Sequence, residues 1–358
     1  MIRITAPARI VHGPSALEAS APELSRLGPT PVLIHGTTGE PQIRSRLDAS
    51  LATAGLAPTR IRHEGLVTAS AIAHLANGVR RLHGGAVIAV GGGRVIDAGK
   101  AAAHAAGVPC ATIPTSPATC AAVTAIAVTY AENGRWSGPT ASRTCPDVCV
   151  LDDDVLGAAP DRLLAAGVVD ALVKVREVRL AAGRGTSPEL WTNAALALCA
   201  VLEERVDPRV SAEVRRWPPD ANVRTALASA VVWLPGLIAG LGGEANKLAA
   251  AHAVHNSLTW LPDHDRALHG ERVSFGLLVQ DALEGADDRI LLDTVGWLRS
   301  LGIDPSLAGL GCEALWDDPI PILERAVEHP AMRTAFPEID RPQLEGTVRR
   351  VDRIARAA

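Results

Sequence analysis

An α/β N-terminal domain followed by an all-α C-terminal domain is the fold class this sequence predicts, on two observations. As far as about Asp154, short apolar runs alternate with alanine-rich segments of helical spacing; after Pro160 the strand-like runs stop. The remainder is helical periodicity broken at RWPPDAN, WLPDHD, GIDPS and DDPIP, connections of ordinary length rich in Pro, Asp and Gly. A chain of 358 residues has room for two domains, expected at 1–157 and 158–358.

The strands come in order as PVLIHG, AVIAVG, CATIP and VCVLD. Each is mostly apolar instead of alternating, as a parallel sheet covered by helices on both faces requires. Ala86–Val90 runs directly into Gly91-Gly92-Gly93-Arg94-Val95-Ile96-Asp97-Ala98-Gly99-Lys100, and the helix continues as AGKAAAHAAG. Strand, glycine turn and helix form a phosphate cradle: glycines let backbone N–H groups approach closely, and the helix N-terminus adds partial positive charge. The spacing is not G-x-G-x-x-G, however, and any tight strand-to-helix connection can use glycine.

In the helical half, Leu163–Lys174 carries one carboxylate, Asp170, in an otherwise apolar run. Burying it is unfavourable without a partner, and a metal would supply one. The stretch Ala249–Val273 places His252 and His255 on one helical face, then a Pro-containing loop, then His269-Gly270-Glu271 at the head of a new apolar run. Imidazoles from two helices can converge there on a divalent metal, which at a catalytic site wants a third protein ligand and an open position. Ordinary polar residues at helix ends are the alternative.

A net charge of −4 gives no electrostatic case for nucleic acid or an anionic membrane surface. No secretory leader pattern opens the chain, and no uncharged run of 18 residues has the aliphatic density of a span, so a cytoplasmic location is expected. The six cysteines form no CxxC pair and are expected to be unpaired. Of 35 basic residues only Lys100, Lys174 and Lys247 are lysine, and the first two fall within motifs.

The ordered segments GGGxxxDxxK, PTSPATCAAVTAIAVTY, GVVDALVK, AAAHAVHNSLT and LHGERVSFGLLVQ resemble the glycerol dehydrogenase-like branch of the iron-containing alcohol dehydrogenase superfamily. Their wording is most similar to the bacterial hydroxycarboxylate dehydrogenase A group, from about Arg9 to Asp288. The resemblance implies a Rossmann-like nucleotide-binding half and an all-helical half for metal and substrate, the dehydroquinate synthase-like fold, with the active site between them. It assigns Asp170, His252 and His269 as metal ligands. It sets Gly92, Gly93, Arg94, Val95, Ile96, Asp97 and Lys100 about the cofactor phosphates, and Thr115, Ala118, Thr124, Ile126 and Tyr130 along the nucleotide.

Departures from the family refine the expectation. Lys174 stands where the iron-dependent members carry a fourth ligand, a histidine, so three side chains are expected to hold the metal and zinc is favoured over iron. Cys120 stands where glycerol dehydrogenases have an aspartate that contacts the polyol; without it, a carboxylate-bearing substrate attracted by Lys174 is favoured. Gly36 stands where NAD-preferring relatives place an aspartate on the ribose, which favours NADP over NAD. His255 is either a proton relay or a packed neighbour of the site. Val123, Val175 and Arg176 replace aromatics of the hydroxycarboxylate group, so an enlarged substrate pocket is expected.

The resulting expectation is a metal-dependent NAD(P)(H) oxidoreductase that interconverts a secondary alcohol, 2-hydroxy acids included, and its carbonyl, working as a reductase. Its partners are a small-molecule substrate and further copies of itself in a homo-oligomer, with neither nucleic acid nor membrane. The alternatives are a glycerol or polyol dehydrogenase, a dehydroquinate synthase-like cyclase, an imine or ketone reductase of specialised metabolism, and a catalytically retired paralogue.

Overall fold

Six parallel strands make the main sheet of the N-terminal half, in a computed structural model that describes residues 4–141, 145–183, 190–242 and 248–358. Lys247 lies outside the described residues. The strands are β1 (Arg9–Gly13), β2 (Pro31–His35), β3 (Thr59–Arg62), β4 (Ala86–Gly91), β5 (Cys110–Pro114) and, after the antiparallel pair β6 (Ile126–Tyr130) and β7 (Trp136–Ala141), β8 (Val148–Asp152). Their order is β1-β8-β5-β4-β2-β3. The four strands read from the sequence are the four interior ones; β1 (RIVHG) and β3 (TRIR) are edges, whose polar residues face solvent and hide the strand signal.

Alternation through this sheet feeds two cores. Leu33, Ile88, Val90, Ile113 and Val150 point to one face, against Leu17, Leu24, Leu47 and Leu51. Val32, Ile34 and Val87 point to the other, against Leu75, Val79, Ala98 and Ala102. Fully burying each such aliphatic side chain contributes about 1.5–3 kcal/mol. Strand order reverses between β2 and β4, since β2 leads outward to β3 while β4 leads the other way to β5. Such a switch point, at the carboxyl ends of the strands, is where open α/β sheets bind ligands.

The described chain divides into two compact units. One takes in the stretch to Pro160 together with Asp220–Gly240, and the other takes in Asp161–Pro219 and Leu241–Ala358. The helix Ala221–Gly242, which the sequence reading assigned to the second domain, thus packs for nearly all its length in the α/β unit: Arg224 Nε donates to Gly157 O at 2.7 Å, and Ser229 donates to Asp153. It is also long and apolar enough to cross a membrane, contrary to the sequence reading, but most of its apolar stretch is buried within the fold, as in a core helix.

Three helices of the other unit carry the residues that matter below: Asp161–Gly183, Ala250–Leu258 and His269–Leu283. Glycine lets them touch. A Cβ on Gly270 would lie 1.9 Å from Ala166 O, and one on Gly276 would lie 2.2 Å from Ala251 O, so the third helix presses its backbone against both others.

Candidate metal centre and nucleotide loop

Asp170, His252 and His269, one from each of these helices, bring their ligand atoms within 4.8 Å of one another. His269 Nε2 is 3.2 Å and His252 Nε2 3.8 Å from Asp170 Oδ1. Ligand atoms on a tetrahedral metal with bonds of about 2.1 Å stand about 3.4 Å apart, so this donor set fits a divalent ion such as zinc with little movement. Burial opposes the charge on Asp170, but His269, His252 and Lys174 outweigh it and hold the carboxyl below its usual range. The buried carboxylate in an apolar helix thus has the partners that its sequence context demanded.

A fourth participant was missed in the sequence. Glu177 is fully buried; its Oε2 lies 2.6 Å from His252 Nδ1, and its Oε1 accepts from Ala249 N at 2.8 Å and His252 N at 2.9 Å. Burial opposes its ionisation, and His252 and Lys174 reverse the balance and keep it low. It lies seven residues after Asp170, two turns along the same face, and that spacing was the available signal. Arg176 and Arg179 flanking it made the segment resemble a solvated charge pattern. Lys174 lies between the two acids on that face and is buried.

His255 is not a member of the ligand cluster. Its ring meets that of His269 edge-on, with centroids 4.5 Å apart, while Arg272 Nε reaches its Nε2 at 3.4 Å. Burial, then His269 and Arg272, push it well below its usual pKa, so it is neutral. Glu271 fixes the start of the His269 helix: it accepts from Leu268 N at 2.7 Å and is clamped by Arg162 at 2.5 and 2.7 Å.

In the α/β unit, β4 ends at Gly91, whose φ of +156° allows the turn, and Gly92 starts the helix Gly93–Ala106 without a side-chain cap. The first turn therefore has no side-chain acceptor for its N–H groups, with Arg94 exposed and Val95 half-buried beside it. Ile96, Asp97 and Lys100 turn inward. Lys100 Nζ is buried, donating to Ala121 O at 2.6 Å and pairing with Asp97 Oδ1 at 2.9 Å, while Asp97 Oδ2 accepts from Val128 N at 3.1 Å. This pair fastens the helix to the turn before β6. Thr124 is buried and also receives Lys100, whereas Thr115, Ala118, Ile126 and Tyr130 remain half-exposed. Cys120 is half-buried, and none of the six cysteines, all of them among the described residues, forms a disulfide.

The residues expected to enlarge the pocket are filled in. Val123 and Val175 are fully buried, and a Cβ on Gly236 would come within 2.1 Å of Val123 Cγ2, so the helix backbone occupies the space of the missing ring. Arg176 is paired through one terminal nitrogen at 2.7 Å with Asp207, itself fully buried.

An uncapped helix at the switch point of a parallel sheet, with a carboxylate and two histidines converging in a helical unit, defines a nucleotide-binding, metal-binding class of protein. Residues 7–153 match the model of the iron-containing alcohol dehydrogenase family. A glycerol dehydrogenase of Pseudomonas putida is 31% identical over 86% of this chain and 84% of its own length. Hydroxycarboxylate dehydrogenase A of Escherichia coli (strain K12) is 35% identical over 63% of this chain and 62% of its own. The crystal structure of a probable glycerol dehydrogenase from Sinorhizobium meliloti 1021 shares the fold, with a TM-score of 0.83, 24% identity and full coverage of both chains. The chain belongs to the iron-containing alcohol dehydrogenase family, in its glycerol dehydrogenase-like branch. Matches to other curated relatives span 50% and 62% of their length.

Proposed function

We propose that this protein is a metal-dependent NAD(P)(H) oxidoreductase that interconverts a secondary alcohol and its carbonyl and works as a reductase on 2-oxo acids. The observation that carries the reading is the convergence of Asp170, His252 and His269 within 4.8 Å. When bound, the divalent metal supplies a Lewis acid for the substrate oxygen and the nicotinamide supplies or accepts the hydride. The three side chains would hold the metal, and with Lys174 at the fourth-ligand position and no fourth ligand grouped with them among the described residues, zinc is favoured over iron.

The protein's own groups bind and orient. The Lys174 ammonium, buried four residues from Asp170, would attract a substrate carboxylate, and Cys120 adds no charge to repel it. That pairing favours a 2-hydroxy acid over glycerol. A cyclase that eliminates phosphate would need basic groups free for it, and Arg176 is held by Asp207. His255, neutral and packed on His269, acts as a wall of the site and not as a relay.

Uncapped N–H groups at Gly93, Arg94 and Val95 would receive the pyrophosphate. NADP is favoured over NAD because Gly36 supplies no carboxylate and the next acid, Glu40, is fully buried and held by Arg44 at 2.8 Å. Arg62, exposed and in register with His35, offers a cation near the end of β2. A cytoplasmic location and a homo-oligomer complete the proposal.

The test is a panel of 2-oxo acids, aldehydes, ketones and cyclic imines with NADPH and NADH, before and after zinc is removed and restored. Zinc-dependent reduction of 2-oxo acids is expected. Zinc-independent turnover, or none with any carbonyl, would overturn the proposal.

A further inference from the structure

We infer that Glu177 is a positioning residue for the metal centre: its carboxylate fixes the tautomer of His252 and pins the start of the helix that carries it. The inference rests on the proposed metal site. The His252 helix, Ala250–Leu258, begins without a cap of its own, since Ala249 has no side chain to accept a first-turn N–H. Glu177 supplies that cap from the neighbouring helix through Oε1, which accepts from both Ala249 N and His252 N. Gln280 Oε1 takes the intervening Ala251 N at 3.2 Å. The backbone of His252 is thus anchored at the residue itself.

The second oxygen acts on the ring. A neutral imidazole carries its one N–H proton on a single nitrogen, and Glu177 Oε2, 2.6 Å away, is the acceptor that holds it on His252 Nδ1. Nε2 is then the atom with the lone pair, and it is Nε2 that faces Asp170. One fully buried side chain therefore sets the position of His252, the plane of its ring and the nitrogen it presents. Outer partners of this kind typically change metal affinity 10–100-fold when removed.

Glu177→Gln separates this role from a merely structural one. The glutamine oxygen can still cap Ala249 and His252, but its NH2 group then faces Nδ1. Donor would meet donor unless the imidazole moves its proton to Nε2, and that tautomer has no lone pair for a metal. The experiment measures zinc Kd by chelator competition and the melting temperature of the zinc-free protein, for wild type, Glu177→Gln and Glu177→Ala. The tautomer of His252 is read from its 15N shifts in the zinc-free state.

Glu177→Gln is expected to weaken zinc 10–100-fold with a zinc-free melting temperature close to wild type, and to move the proton from Nδ1 to Nε2. Glu177→Ala should lose both affinity and stability. A Glu177→Gln protein that binds zinc as tightly as wild type, or one whose zinc-free stability falls while its Kd is unchanged, overturns the inference. Failure of the wild type itself to take up zinc would instead fail the metal-site reading, and this inference with it.

Discussion

Gly36, at the end of β2, lies against Val95 in the first turn of the glycine-loop helix: a Cβ on Gly36 would come 3.0 Å from Val95 Cγ2. Gly36 N also donates to Val90 O at 3.3 Å, which ties the end of β2 to β4 at the switch point. A side chain at this position would project beside the first turn of the glycine-loop helix, where the nucleotide is proposed to bind. We therefore expect kcat/KM for NADPH to exceed that for NADH in the wild type, and Gly36→Asp to invert the ratio by repelling a 2′-phosphate. Val95 must give by a few tenths of an ångström, so melting temperature is followed alongside. A wild-type preference for NADH would reverse the cofactor assignment.

Lys100 offers a contrasting outcome, because its ammonium is spent within the fold. Lys100→Met would leave buried Asp97 without the ammonium it pairs with and the carbonyls of Ala121 and Thr124 without their donor, a loss of about 3–5 kcal/mol. The melting temperature should fall markedly while KM for the nucleotide, per folded molecule, changes little. Normal stability with a tenfold rise in nucleotide KM would restore a phosphate-binding role.

How much of this was legible in the sequence depended on burial and register. Interior strands such as AVIAVG announced themselves because both faces are covered, whereas β3 (TRIR) reads as polar because it is an edge. Asp170 stood out as a lone acid among aliphatic residues. Glu177, equally buried, was camouflaged by neighbouring arginines whose partners, Asp207 and Glu203, come from other segments. Lys100 and Asp97 carry a family motif, yet only the fold reveals that they face inward. Likewise Arg62 becomes a neighbour of His35 through strand pairing, which no local pattern encodes.

Asp281, on the His269 helix, should make stability depend on pH. Burial, countered by Arg176 and reinforced by Glu284 and Asp207, pushes its carboxyl up to about 6. The folded value lies above that of the unfolded chain, about 3.9, so between these values the folded protein binds more protons and stability falls as pH rises. Asp281→Asn removes the cost. Its melting temperature should exceed that of wild type at pH 8, and the gain should disappear by pH 4. An equal gain at both values would assign the effect to packing.

Removing the metal should also register in stability, since an ion held only by the folded state stabilises it by mass action. Zinc at 100 times its Kd is worth about 2.7 kcal/mol. Chelation should therefore lower the wild-type melting temperature, while Asp170→Ala, His252→Ala and His269→Ala should each fold, lose nearly all turnover and respond to zinc only weakly. A His269→Ala protein that kept one equivalent of zinc and most activity would remove His269 from the ligand set.

The last expectation concerns Val123, where the loss of an aromatic ring invited an enlarged pocket. The ring's space is taken instead by Gly236, whose backbone approaches so closely that even a methyl group would meet Val123 Cγ2 at 2.1 Å. Val123→Trp must then overpack a fully buried site, at a cost of about 1–3 kcal/mol or more. The variant should lose stability, and its relative kcat/KM across carbonyl substrates of increasing chain length and ring size should parallel wild type. Gly236→Ala should destabilise in the same way, because the two residues fill one space. If Val123→Trp instead folds with normal stability and selectively rejects the larger substrates, the ring enters the substrate pocket and the helix has yielded to admit it.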